Sequence, residues 1–214
     1  RYLGFTANGQ LKKLALTGTA APETLCPAPL SGGAAWNNAD VIVFSSRGSL
    51  YRIDTRGGRP ALVKQPPGSD MYMFPQFLPD GGHVLYLAVS NGEQERGAFV
   101  LALDTGTSTR LADANQKIVY SSGYLLTVQN GELFAQTFDV KRLQVSGEPR
   151  RLPDRVSYTY NATREAAIDA SAGGQLAYLT PGSTQDQLAG LARSGQVPPT
   201  GGPRGESRLP TPRP

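Results

Sequence analysis

Few side chains in this sequence could carry out catalysis or bind a metal. The chain has one histidine, His83, and one cysteine, Cys26, which is too few for the Cys and His ligand sets of common zinc sites. A catalytic histidine also needs a nucleophile and an orienting acid within reach, whereas His83 directly follows a polar turn at residues 79–82. We interpret His83 as a residue at the start of a strand, and we predict neither a catalytic residue nor a metal site.

The acidic residues that could take part in chemistry lie where apolar runs end or turn. They are Asp54, Asp80, Asp104 and Asp139. Aspartate is common at such positions because its carboxylate accepts backbone hydrogen bonds. The sequence has no Gly-x-Ser-x-Gly nucleophile elbow and no glycine motif for phosphate or dinucleotide binding. We therefore predict a chain that is not an enzyme by itself and that binds no cofactor.

These residues belong to a sequence unit that recurs along the chain. Its first apolar run begins near Tyr2, Val41, Val84, Tyr124 and Leu176, at intervals of about 39, 43, 40 and 52 residues. Repeats of roughly 40–50 residues are typical of propeller blades, although helical repeats of similar length exist. The internal pattern of the unit therefore has to decide between strands and helices.

That internal pattern favours strands. The runs at 41–44, 84–89 and 124–128 are short, rich in branched and aromatic residues, and bounded by turn residues, as buried strands are. The run at 50–54 alternates between polar and apolar residues, which is typical of a strand with one covered face. Asn8-Gly9 and Asn130-Gly131 lie between consecutive runs and predict type I′ hairpins.

The units predict an all-β fold, a β-propeller of four-stranded antiparallel blades with about three complete and two partial blades in an incomplete ring. A β-sandwich or a solenoid is the alternative. In the third unit we expect strands a to d at 72–78, 83–89, 98–103 and 109–112. The predicted blades span residues 1–25, 34–64, 72–112, 117–152 and 165–195 of a propeller domain at 1–195. The first lacks strand a, and the fifth lacks a convincing strand d. Residues 196–214, with six prolines in the last 17, form a predicted disordered tail.

Composition narrows the possible partners. The net charge is +4, and the pairs Lys12-Lys13 and Arg150-Arg151 are isolated, unlike the basic face of a nucleic-acid-binding protein. No apolar run approaches the length of about 18 residues that a membrane span requires. We predict no nucleic-acid partner and no membrane contact by this chain. The pattern starts part-way through a blade, so we expect the chain to be a piece of a longer protein.

A binding surface is expected on the loops that join strand d of one blade to strand a of the next, because loops commonly carry function. These loops are predicted near residues 26–33, 65–71, 113–116 and 153–164. They carry residue types that are frequent at binding hot spots. We predict contact with a protein or a small-molecule ligand through Asp70, Tyr72, Tyr158, Tyr160 and Arg164. The alternative is that these side chains pack between blades.

The turn Pro79-Asp80-Gly81 followed by an apolar strand is similar to the repeat of TolB-like, WD-repeat-like bacterial propellers. Further segments, in order, resemble the propeller that follows the kinase domain of bacterial eukaryotic-like serine/threonine protein kinases. They are Leu50-Tyr51-Arg52, 77–86, 123–126, 133–138 and Gly147-Glu148-Pro149. The resemblance covers about residues 1–195, but this chain has Gly190 and Ala192 where that family tends to have an aromatic and an acid.

The resemblance implies a non-catalytic sensor or interaction module of a receptor kinase, located outside the cytoplasm. No kinase motif occurs in this sequence. One alternative is the substrate-gating propeller of a prolyl-oligopeptidase-type hydrolase. Another is a truncated fragment without function.

Overall fold

The computed structural model describes residues 1–92, 95–159, 164–171 and 173–182, together with the backbone of residues 189–191. Tyr160, Ala192 and the predicted tail at 196–214 lie outside the described residues. The described part of the chain forms strands, and it contains no helix that is long and apolar enough to cross a membrane.

Among the described residues, eighteen strands form five antiparallel sheets, in each of which the strands follow one another in chain order. Sheet 1 contains β1 (Tyr2–Ala7), β2 (Gln10–Ala15) and β3 (Glu23–Pro27). Sheet 2 contains β4 (Ser31–Trp36), β5 (Val41–Ser46), β6 (Ser49–Asp54) and β7 (Ala61–Lys64). Sheet 3 contains β8 (Met71–Phe77), β9 (His83–Val89), β10 (Gly97–Ala102) and β11 (Ser108–Ala112). Sheet 4 contains β12 (Val119–Ser121), β13 (Tyr124–Gln129), β14 (Glu132–Asp139) and β15 (Gln144–Arg155). Sheet 5 contains β16 (Ile168–Ala170), β17 (Leu176–Tyr178) and β18 (Ala189–Leu191).

The packing between sheets identifies the architecture. Each of the four hydrophobic clusters joins two neighbouring sheets: Leu11 with Phe44, Leu50 with Tyr86, Leu85 with Leu125, and Leu126 with Ile168. Sheets that bury their faces against their neighbours in sequence form the radial array of a β-propeller. The predicted fold class, an incomplete set of four-stranded propeller blades, is confirmed.

The hairpins show how local sequence fixes this arrangement. Asn8 and Gly9 have φ angles of 53° and 68°, and Asn130 and Gly131 have 51° and 79°, as a type I′ turn requires. Both predicted hairpins are therefore confirmed. Arg47-Gly48 forms a third hairpin of the same kind, with φ angles of 50° and 78°. Its first residue is not one that marks such a turn, so the sequence did not reveal it.

Three of the predicted loops are shorter in the structure, and the one predicted at 65–71 already meets β8 at Met71. Cys26 lies in β3 and is buried, and β4 already begins at Ser31. At the third loop, β15 continues to Arg155, because irregularities in its pairing with β14 let the strand run on past the predicted blade end at 152. The prediction that 26–33, 65–71 and 153–164 are entirely loop was wrong at these ends.

Candidate functional site

The connections between strands divide between two faces of the array. Because neighbouring strands are antiparallel, turns between strands b and c lie at the same end as the loops that lead to the next sheet. In sheet 1, which lacks strand a, strands b and c are β1 and β2. Hydrogen bonds connect the two kinds of loop: Ala28 N donates to Gly9 O, Tyr72 N to Gly48 O, and Val156 N to Gly131 O, each at 2.8 Å. We call this end of the array the loop face.

A polar groove crosses the loop face between sheets 3 and 4. It consists of two adjoining cavities of about 140 and 240 Å³, and both are lined by Arg96 and Asn115. The smaller cavity is also lined by Ser90, Asn91 and Arg164. The larger one is also lined by Asp113, Gln129 and Asn130. Arg96 and Asn115 thus lie at the centre of a groove whose walls carry amides, a hydroxyl and charged groups.

Asn115 is held in the groove by buried neighbours on both sides. Ala114 and Gln116 are 7% and 1% exposed, so the loop between β11 and β12 is anchored around Asn115. The Oδ1 atom of Asn115 is shielded from solvent and accepts no hydrogen bond from the described residues. A buried acceptor without a partner costs about 1–3 kcal/mol. A ligand hydroxyl that donates to Oδ1, once the Asn115 side chain turns into the groove, would remove this cost.

Arg164 is positioned by its backbone. Its carbonyl oxygen accepts a hydrogen bond of 3.0 Å from Lys117 N. With its amide nitrogen turned toward the loop, Gln116 donates to the carbonyl oxygens of Arg164 and Thr159, at 3.2 Å each. Arg164 also has a φ angle of 47°, which is uncommon for a residue other than glycine. The loop between sheets 4 and 5 is therefore tied to the loop that carries Asn115.

Of the charged groups that line the groove, Asp113 is ion-paired with a described residue and Arg96 is not. Asp113 forms an ion pair with Arg110 Nη2, and Arg110 Nε donates to the carbonyl oxygen of Arg96 at 3.1 Å. The guanidinium group of Arg96 forms no ion pair with any residue that the structure describes. Arginine can bind a carboxylate through two parallel hydrogen bonds. The groove therefore offers a cation and a buried acceptor side by side, which suits an acid that also carries hydroxyl or N–H groups.

The sequence-predicted binding residues lie in different surroundings. Arg164 lies in the groove. The rings of Tyr72 and Tyr86 pack edge to face with their centroids 4.9 Å apart. Burial, together with the charge of Asp70, raises the pKa of Tyr72. The backbone of Asp70 lies against the hairpin at Gly48. These two residues thus sit at the boundary between sheets 2 and 3, away from the groove.

Tyr158 packs at the boundary between sheets 4 and 5. It pairs with Ala166 in an isolated bridge, and its ring lies over Gly131. Tyr160 lies outside the described residues. Of the predicted residues, the structure places Arg164 in the groove, whereas Asp70, Tyr72 and Tyr158 lie at sheet boundaries, and their role in binding stays a prediction.

No sequence motif marked Arg96 or Asn115 as a candidate binding residue. One signal was available, because β9 and β10 are joined by residues 90–96, whereas three other sheets use a two-residue hairpin at the same place. A connection that is longer than the corresponding turns of the other sheets is a common sign of a functional loop. Asn115 gave no such signal, since its isolation depends on packing between sheets.

A second cavity, of about 160 Å³, lies along the inner strands. Its lining includes Gly33 of β4, Phe74 of β8, and the ion pair between Lys117 Nζ and Asp169 Oδ2, which are 3.5 Å apart. Phe74 has a φ angle of 53°, a strained conformation for a bulky side chain. We call this space the axial cavity.

The strain at Phe74 accompanies paired irregularities. The register shifts between Ser31 and Ala34 in β4 and between Met73 and Gln76 in β8. The two bulges meet, because a Cβ atom on Gly33 would lie 3.3 Å from the Cα atom of Phe74. Bulges commonly redirect side chains at the rims of sheets and next to functional sites.

The described residues contain no group of three or more His, Cys, Asp or Glu side chains that could hold a metal ion. His83 Nδ1 lies 2.6 Å from Asp80 Oδ2 at the turn before β9. The four turn aspartates accept backbone hydrogen bonds as predicted: Asp54 from Arg56, Asp80 from Gly82 and His83, Asp104 from Thr105, and Asp139 from Lys141 and Arg142.

Known structures with the same fold are β-propellers. No protein-family model matches the sequence, and no curated protein is detectably similar to it. Among solved structures, TolB from Acinetobacter baumannii matches with a TM-score of 0.64 and 20% identity, over 88% of this chain and 47% of TolB. The calcium-binding protein regucalcin from Agrobacterium tumefaciens matches with a TM-score of 0.61 and 14% identity, over 88% of this chain and 65% of regucalcin.

A third match is a catalytically inactive variant of virginiamycin B lyase from Staphylococcus aureus with quinupristin. It has a TM-score of 0.57 and 16% identity, over 92% of this chain and 65% of the lyase. The chain spans less than two thirds of the length of each of these three proteins. The fold is that of a β-propeller module with TolB-like blades.

Proposed function

We propose that this chain is a non-catalytic binding module of a larger propeller protein, and that the groove on its loop face binds an acid bearing hydroxyl groups. The observation that carries this proposal is the convergence of Arg96, Arg164 and the buried Oδ1 atom of Asn115 on one polar cavity. Charged hydrogen bonds to a carboxylate are roughly twice as strong as neutral ones. A hydroxyl donor at Oδ1 would add the hydrogen bond that this acceptor lacks.

The geometry supports recognition of one charged group. The smaller cavity is lined by two arginines, and Asp113 is already engaged by Arg110. A neutral sugar would satisfy Asn115 but would leave the Arg96 guanidinium unpaired. A carboxylate without hydroxyl groups would pair with Arg96 but would leave Asn115 Oδ1 without a donor. An acid of the sugar-acid type can make both interactions, so we propose this class of ligand.

The test compares D-galacturonate with D-galactose, which lacks the carboxylate. Titration calorimetry should show that galacturonate binds more tightly. We expect Arg96→Gln to weaken it by about 10-fold or more, as losing a charged hydrogen bond of about 1.5–3 kcal/mol implies. Arg150→Gln removes an exposed arginine of β15 and should leave the affinity unchanged. Equal binding of both sugars, or equal binding by the wild type and Arg96→Gln, would contradict the proposal.

We further propose that the parent protein is a bacterial serine/threonine receptor kinase, in which this module acts as an extracytoplasmic sensor. The ordered segments that resemble the kinase-associated propeller support this. The reading frame upstream of Arg1 tests it directly. A kinase domain and a membrane span there would support the sensor role, and their absence would contradict it.

The axial cavity favours a second candidate, the substrate-gating propeller of a prolyl-oligopeptidase-type hydrolase. Such a propeller would admit substrate along its axis, where the inner strands enclose about 160 Å³. A nucleophile elbow in the sequence that follows residue 214 would support this candidate.

A fragment without function is the remaining alternative. A chain that is aggregated or lacks cooperative β-structure by size exclusion and circular dichroism would support it.

A further inference from the structure

A third cavity, of about 420 Å³, lies between sheets 2 and 3 at the face opposite the loop face. It is larger than either part of the groove and falls in the size range of small-molecule sites. The side chains of Ala39, Val41 and Leu103 form apolar walls, and Arg52, His83 and Asp104 supply charged or polar groups. We call it the rim cavity.

One hydrogen bond joins the two sheets at the cavity, and others hold the turn on each side. Asn37 Nδ2 donates to the carbonyl oxygen of Gly81 at 3.3 Å, and Asn37 Oδ1 accepts from the N–H groups of Ala39 and Val41 at 3.0 Å each. Leu103 N donates to Gly82 O at 3.0 Å. The turns on both sides of the cavity are therefore held at a defined separation.

The imidazole of His83 is oriented by Asp80. Nδ1 lies 2.6 Å from Asp80 Oδ2, and Asp80 Oδ1 accepts from the backbone N–H groups of Gly82 and His83 at 3.0 Å each. These bonds fix the carboxylate, which in turn fixes the ring. Nε2 makes no hydrogen bond with the described residues, so it remains available to a bound molecule.

Arg52 is exposed at the cavity, whose lining also includes the carboxylate of Asp104. Asp54, the acid nearest to Arg52 in the sequence, is already bound by another residue: it accepts two hydrogen bonds from the Arg56 side chain, at 2.8 and 3.0 Å. Arg52 makes no ion pair with any described residue. It projects from β6, at the edge of a cavity whose walls include the aliphatic side chains of Ala39, Val41 and Leu103. A guanidinium group in this position is suited to a carboxylate whose body is apolar.

We propose that the rim cavity binds a small monocarboxylate with an apolar body, such as an arylacetate. Arg52 pairs with the carboxylate, His83 Nε2 contacts its second oxygen or an adjacent polar group, and the body packs against Val41 and Leu103. Asp104 limits the site to one negative charge, because a second carboxylate would be repelled by it. This site is separate from the loop-face groove and does not depend on the function proposed there.

The test uses the complete chain of 214 residues, which contains one histidine and one tryptophan. The imidazole resonances in an NMR spectrum therefore belong to His83 without further assignment. We expect phenylacetate to shift them saturably. Phenylacetamide, the uncharged analogue, should bind at least about 10-fold more weakly, as expected from the loss of one charged contact.

Variants then separate the cavity from general surface binding. Arg52→Gln should reduce phenylacetate affinity about 10-fold or more, as loss of a charged contact predicts. Arg59→Gln, at an exposed arginine of the adjacent loop, and Arg96→Gln in the groove should leave it unchanged. Fluorescence of Trp36 reports whether each variant is folded. The absence of a saturable shift, equal binding of the amide, or wild-type affinity in folded Arg52→Gln would overturn the proposal. Comparison of the acid with the amide needs no variant.

Discussion

The side-chain amide of Gln76 pairs with both backbone groups of Tyr120. Gln76 Nε2 donates to Tyr120 O at 3.0 Å, and Tyr120 N donates to Gln76 Oε1 at 2.7 Å. A side chain of β8 thus satisfies the backbone of β12, as a neighbouring strand would. It connects the inner strands of sheets 3 and 4, which also enclose the axial cavity.

Replacing Gln76 with Leu should therefore destabilise the protein. The substitution leaves one backbone donor and one acceptor of Tyr120 without their partner, so the free energy of unfolding should fall by about 1–3 kcal/mol. Urea unfolding followed by circular dichroism measures it. Gln144→Leu, at an exposed position of β15, should change stability by less than about 0.5 kcal/mol. Similar losses in both variants would show that the Gln76 pair contributes little.

Substitution of Gly33 tests the contact between the bulges of β4 and β8. Its φ angle is 105°, and an added Cβ atom would meet the backbone of Phe74 at 3.3 Å. Gly58 has a φ angle of 120° but open space around it, so Gly58→Ala reports the backbone strain alone, which is of order 1–3 kcal/mol. We expect Gly33→Ala to lower the thermal midpoint more than Gly58→Ala. An equal shift would mean that the bulges can separate without cost.

The hairpin at Arg47-Gly48 offers a stabilising change. Arg47 has a φ angle of 50°, and asparagine tolerates this conformation better than arginine. Arg47→Asn should raise the free energy of unfolding by about 0.5–1 kcal/mol, as substitutions that relieve backbone strain commonly do. Arg59→Asn, where φ is not positive, should give no gain. A neutral or negative effect of Arg47→Asn would show that the Arg47 side chain makes a compensating contact.

Stability should decrease at alkaline pH because of Tyr178. Burial, followed by a hydrogen bond to Asp154 and its negative charge, raises the pKa of Tyr178 to about 12. An unfolded tyrosine has a pKa of about 10. Between these values only the unfolded chain releases the proton, so the free energy of unfolding falls as pH rises from about 10 to about 12. Below pH 10 this contribution is fully present.

Urea unfolding at a series of pH values between 9 and 12 measures this slope. Tyr178→Phe should reduce it without abolishing it, since burial also raises the pKa of Tyr86. Tyr124→Phe, at a tyrosine that is 50% exposed, should keep the wild-type slope. An unchanged slope in Tyr178→Phe would contradict the assignment.

Local sequence determines much of the fold but little of the candidate site. Asn8-Gly9 specified its hairpin because its two residues alone fix the turn, and Asp139 specified its backbone hydrogen bonds because they are made within three residues. The orphan acceptor of Asn115 depends on sheets 3 and 4 meeting around it. Tyr72 has the composition of a binding residue, but its ring packs on Tyr86. Whether such a side chain packs in the protein or is available for binding depends on its tertiary contacts, which the local sequence does not specify.

The most direct test of the loop-face groove is the position of a bound sugar acid. A crystal structure with D-galacturonate should place the carboxylate within hydrogen-bond distance of Arg96 or Arg164, with a hydroxyl donating to Asn115 Oδ1. A sugar acid bound elsewhere, or one bound in the groove with Asn115 Oδ1 still unpaired, would contradict the assignment of this groove as the binding site.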